Sequence, residues 1–102
     1  MNDILHKCKI VLREHYKERF KGLVLYGSIA RDQADISSDI DMLVLLNQPF
    51  DFFKELRTIS ELLYPVQLES EKLISVKPVL EKDYGEGKLQ LYRNAKRDGV
   101  AI

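Results

Sequence analysis

Two aspartates, Asp39 and Asp41, stand one residue apart at the mouth of an apolar run, Ile40 to Leu46. Upstream, a second apolar run, Leu23 to Tyr26, ends in Gly27-Ser28, and ten residues, Ile29 to Ser38, separate Ser28 from Asp39. In a strand, side chains alternate faces, so the two carboxylates share one side and Ile40 takes the other. Carboxylates held this close repel unless a cation sits between them. Mg²⁺ suits such a pair, because it takes one or two carboxylates and completes its shell with substrate phosphates and water. Gly27 has no Cβ and admits a ligand close to the backbone, and Ser28 adds a hydroxyl and a backbone N–H. A helix opening just beyond them would aim free N–H groups at the same spot, which favours a phosphate. A phosphate cradle beside a carboxylate pair is what nucleotidyl transfer needs: charge is neutralised and a triphosphate is oriented for in-line attack.

These groups can act only if the two apolar runs are strands held side by side. Asn2 or Asp3 can cap a first helix that runs to about Phe20, with Ile4, Leu5, Cys8, Val11, Leu12, Tyr16 and Phe20 on one face. Lys21-Gly22 then leads into the first strand. After the second strand, Asn47-Gln48-Pro49 is a turn. Phe50 to Tyr64 reads as a second helix, with Phe52, Phe53, Leu56, Ile59, Leu62 and Leu63 on its buried side and Pro65 as its stop. Two short strands are expected next, one over Val66–Glu69 and one over Leu73–Leu80, and Pro78 puts the latter at an edge. Glu81 to Lys88, with Gly85 and Gly87, reads as a loop, and Lys88 to Asp98 as a last helix ended by Gly99.

Composition narrows the function classes. The 102 residues fit one domain, 1–102. Sixteen basic and sixteen acidic residues give a formal net charge of +0, which does not indicate general nucleic-acid binding. No apolar run approaches the ~20 residues of a transmembrane helix, so no membrane association is expected. The one cysteine, Cys8, lies on the apolar stripe of the first helix and fits a reducing cytoplasm.

The Leu23–Leu46 stretch resembles the Gly-Ser, ten residues, Asp-x-Asp signature of the DNA polymerase beta nucleotidyltransferase superfamily. Within it, the chain resembles the minimal nucleotidyltransferases. The resemblance rests on the strand before Gly27, on Ala30-Arg31 and on Ser38-Asp39-Ile40-Asp41. Asp32 departs from the pattern, since members often carry glycine there. The resemblance implies an α+β fold with a mixed sheet of three to four strands and helices packed mainly on one face. It also implies that Asp39 and Asp41 are catalytic and hold Mg²⁺, that Gly27 and Ser28 bind the phosphates of ATP, and that Arg31 helps neutralise them. Sites of this kind usually add a third carboxylate from a strand beside the Asp-x-Asp strand. Glu69 is the candidate for that catalytic, metal-holding place, with Gln67 as the competing position.

Size sharpens the expectation. Members that act on nucleic acids or antibiotics usually carry further domains that hold the acceptor, and here only a minimal core is present. The chain therefore resembles the antitoxins that pair with helical HEPN toxins in the prokaryotic cytoplasm and transfer AMP from ATP to a tyrosine hydroxyl of the toxin. The alternative is a non-catalytic nucleotide-binding or toxin-binding module on the same fold.

Overall fold

The computed structural model describes residues 2–30 and 38–102, and the side chains of Asn2 and Ser28 stand outside that description. Arg31 and Asp32 also lie outside the described residues. In chain order, helix α1 (Asn2–Tyr16) and a 3-10 turn (Lys17–Arg19) lead into strand β1 (Phe20–Tyr26), the short helix α2 (Gly27–Ala30) and strand β2 (Ile40–Leu46). Helix α3 (Phe52–Glu69), strand β3 (Ile74–Leu80), helices α4 (Glu81–Glu86) and α5 (Gln90–Asp98) and strand β4 (Val100–Ala101) follow. The sheet is mixed, in the order β3-β2-β1-β4: β2 runs parallel to β3 and antiparallel to β1, and β4 pairs antiparallel with the other edge of β1. The expected α+β fold and the edge position of the Pro78 strand are observed, and the Asp-x-Asp strand β2 is interior.

Alternation along β1 and β2 divides the core in two. Leu23, Leu25, Ile40, Met42, Val44 and Leu46 face α1 and α3, where they pack against Leu5, Cys8, Leu12, Tyr16, Ile59, Leu63 and Val66. Val24, Leu43, Leu45 and Val79 face the other way, under Ala95 of α5 and with Tyr84 and Tyr92 against them. The long helices therefore cover one face, and two short ones cover part of the other. β2 is buried at nearly every position, as an interior strand covered on both faces should be.

Several expectations on the chain's elements are corrected. Phe20 starts β1 instead of ending α1, because the chain turns at Lys17, whose φ of 53° leaves the helical region. Helix α3 does not stop at Pro65. It runs through to Glu69, so no strand forms over Val66–Glu69. Pro65 is exposed and Val66 is buried, so the hydrogen bond that proline removes is offset by packing on the following turn. Gln67 then holds the end of the helix to the next strand: its amide nitrogen donates to Lys72 O (3.0 Å), and its amide oxygen accepts from Ile74 N (2.7 Å). Phe52 and Phe53 are exposed and stack edge to face at the start of α3, outside the core. The expected 81–88 loop contains α4, which Gly87 closes at a φ of 65°.

Candidate active site

Gly27 sits where β1 ends, at a φ of 82°, in the left-handed region that suits glycine. Tyr26, just before it, is the register partner of Asp41 on β2. This pairing brings the Gly27 corner against the Asp41 carboxylate. A Cβ built on Gly27 would lie 2.9 Å from Asp41 Oδ2, closer than real Cβ contacts come. The absent side chain of Gly27 is thus the space that the Asp41 carboxylate uses.

Asp41 lines up with Leu43 and Leu45 on the face that α4 and α5 partly cover. Asp39, just ahead of β2, is exposed. Burial, and next the Asp39 carboxylate, raise the Asp41 carboxyl above the ordinary carboxylate range, while Lys77 pulls it back. Lys77 stands on β3 opposite Leu43, and Ser75 stands opposite Asp41 itself. Tyr26 is kept in its phenol form by burial and then by the Asp41 charge. The Asp41 carboxylate, seated against a glycine corner with the Asp39 carboxylate beside it, offers hard oxygen donors to a divalent cation.

The segment between α3 and β3 fixes this mouth. Leu73 O accepts from Ile40 N (2.8 Å), the backbone amide between the two aspartates. Lys72 Nζ donates to Ser38 O (3.3 Å), and the Ser70 hydroxyl donates to Lys72 O (2.7 Å). The start of the carboxylate strand is therefore tied to the same turn that Gln67 holds.

Of the residues singled out from sequence, the structure brings together Gly27, Asp39 and Asp41. The backbone of Ser28 continues from Gly27 into α2. Glu69 is not brought to them. It ends α3, and its carboxylate accepts from Lys7 of α1 (2.7 Å), both side chains about half exposed. It also lines a cavity with Ile40, whose side chain takes the face opposite Asp41. Gln67 is likewise a turn anchor, so neither supplies a third carboxylate. β3, the strand that does flank β2, reads Ile-Ser-Val-Lys-Pro-Val-Leu and contains no acid. Among the described residues, no group of three or more His, Cys, Asp or Glu could hold a metal together.

The sequence reading missed a cleft of about 180 Å³ beside Gly27, lined by Tyr26, Leu91, Asn94, Ala95 and Asp98. Tyr26 could have been found as the residue before the glycine corner. The α5 residues carry no such signal, because only the packing of the last helix onto β1 brings them there.

A sequence profile of the nucleotidyltransferase domain matches residues 6–96, nearly the whole chain. The chain belongs to the nucleotidyltransferase domain family. Three proteins of Methanocaldococcus jannaschii, provisionally named protein adenylyltransferases, are similar to it. MJ0128 is 41% identical over 54 residues and MJ1217 is 37% identical over 54, each match covering 53% of both chains. MJ0604 is 37% identical over 70 residues, 65% of this chain and 70% of that protein. The chain thus spans about half the length of the first two relatives.

Proposed function

We propose that this nucleotidyltransferase domain transfers AMP from ATP to a hydroxyl of a partner protein, with Mg²⁺ as the metal. The observation that carries the reading is the seat of the Asp41 carboxylate in the space left by Gly27, with the Asp39 charge beside it. Asp39 and Asp41 would hold the metal, which when bound supplies positive charge for the triphosphate and its leaving group. The Gly27 and Ser28 backbone would cradle the phosphates, and Arg31 would help neutralise them. Tyr26, neutral and half-buried, would shield one side of the nucleotide from water. Asp39 is exposed, which would leave it open to an approaching acceptor.

The names of the relatives support a protein acceptor. In this reading the acceptor is a tyrosine of a HEPN-type helical toxin and the chain is its antitoxin in a prokaryotic cytoplasm, which a free, buried Cys8 suits. Incubating the protein with its genomic neighbour, ATP and Mg²⁺ tests this. A mass gain of one or more AMP units on the neighbour, lost with Asp39→Ala or Asp41→Ala, is the expected result. An unmodified neighbour would refute it. The non-catalytic alternative is distinguished in the same assay, because a pure binder would still neutralise the neighbour after either substitution.

A further inference from the structure

The cation pattern on the far edge of the sheet is not used by the transfer site. A trough of about 760 Å³ runs along the outer edge of β1, between α1 and α5. Its floor is apolar and wraps the β1 edge, with Phe20 and Leu23 on the α1 side of the sheet and Val24, Leu45 and Tyr84 on the α5 side. Four cations rim it: Lys9 and Arg13, one helical turn apart on α1, Lys21 on β1, and Lys96 on α5. No aspartate or glutamate lines it. Lys9 donates to the Ile102 backbone oxygen, and Lys96 donates to the Gly85 carbonyl, which leaves the Lys96 charge unneutralised. Arg13 and Lys21 have no carboxylate or carbonyl partner among the described residues. In a chain of zero net charge, this concentration of one sign is local.

The backbone beneath is open as well. β4 pairs only with Val24 and Leu25, and Ile102 N donates to Leu23 O. Upstream on that edge, Lys21 and Gly22 have no strand beside them. The ladder to β2 is irregular between Phe20 and Gly22, which leaves Lys21 without a register partner. An exposed edge of this kind accepts an added strand.

We propose that this trough docks an extended, acidic segment of a partner protein, which lies beside β1 in line with β4, its apolar residues on the trough floor and its carboxylates against Arg13, Lys21 and the neighbouring lysines. An extended chain presents alternate residues to opposite sides, which matches an apolar floor beneath a cationic rim. A peptide also offers N–H and C=O groups to the free edge of Lys21 and Gly22, which a nucleic-acid backbone cannot do in a ladder. Ala95 lines both this trough and the cleft beside Gly27, so a segment docked here would lie next to the transfer site. The proposal does not depend on transfer chemistry.

A displayed library of short random peptides, selected on the wild-type protein and counter-selected on the double variant Arg13→Glu, Lys21→Glu, tests it. Both side chains are exposed, and circular dichroism checks that the variant remains folded. The expected outcome is enrichment of segments alternating Asp or Glu with apolar residues. Their affinity should fall by at least about tenfold in the double variant and weaken with salt. Three results would overturn the proposal: no enrichment, peptides that bind both proteins equally, or a single-stranded RNA that displaces the selected peptides. Concentration-dependent dimerisation that is lost in the variant would also overturn it, because a second copy would then be the occupant.

Discussion

The Asp41 carboxylate sits where it does because Gly27 has no side chain. Gly27→Ala would put a Cβ 2.9 Å from Asp41 Oδ2 on a backbone already at a φ of 82°. The strain costs roughly 1–2 kcal/mol, and the carboxylate must move. A displacement near 1 Å at a reacting centre costs on the order of 10²-fold in rate, so AMP transfer should fall about that far while the protein stays folded; turnover assays and thermal melts check both. Asp41 yields a second prediction. Its folded-state affinity for a proton is raised by burial and by Asp39. Between the ordinary carboxylate range and that raised value, the folded protein keeps a proton that the unfolded chain has lost. Stability therefore falls as pH rises through this window, and the deficit persists above it. Without divalent cations, Asp41→Asn should raise the unfolding free energy at neutral pH by an amount on the order of 1 kcal/mol or less, seen as a higher melting temperature, and the gain should vanish below about pH 4. With Mg²⁺ and nucleotide, the wild type should gain stability and the variant should not. Equal melting curves for the two proteins at neutral pH would contradict the assignment.

At the scale of elements, the site depends on how β2 is held. α1 is locked to α3 by Tyr16, whose hydroxyl donates to buried Glu55 at 2.9 Å and whose own ionisation is pushed up, first by burial. Tyr16→Phe would leave a buried carboxylate without this donor, so denaturant titration should show a loss of roughly 1–3 kcal/mol. Glu69, by contrast, belongs to the surface of the α1–α3 layer, so Glu69→Ala should leave nucleotide binding and transfer at wild-type levels. A large loss would return it to the site. The two apolar runs around the glycine corner and the pair of acids were legible because short apolar strands, a chain-reversing glycine and same-side alternation are all local signals. The error at Glu69 came from treating Pro65 as a stop. That inference fails when the proline faces solvent and Val66, one residue on, still has core to bury. The exposure of Phe52 and Phe53 was also hidden, since aromatic residues at a helix start fit a buried stripe equally well by spacing.

For the whole molecule, the α+β class and the edge strand could be read from the order of patterns, because Pro78 bars a central position and the long helices declare their apolar faces. The second face could not. α4 lay in an apparent loop, β4 is two residues long, and the cleft beside Gly27 exists only because α5 returns across β1. Gly99 makes that return possible: a Cβ there would meet the Ala95 and Leu25 carbonyls and Val24. Among the described residues, no helix is long and apolar enough to cross a membrane. The molecule thus places its Gly27–Asp41 corner at one end of the sheet and a cation-rimmed trough along the β1 edge, and Ala95 lines both the trough and the cleft beside Gly27. Asp39 and Asp41, seated at the Gly27 corner, should bind a metal–triphosphate together. Calorimetric titration of a non-hydrolysable ATP analogue into wild-type protein and into the double variant Asp39→Ala, Asp41→Ala, with and without Mg²⁺, measures it most directly. Binding should require Mg²⁺ in the wild type and be lost in the variant. Equal, Mg²⁺-independent binding by both proteins would contradict it.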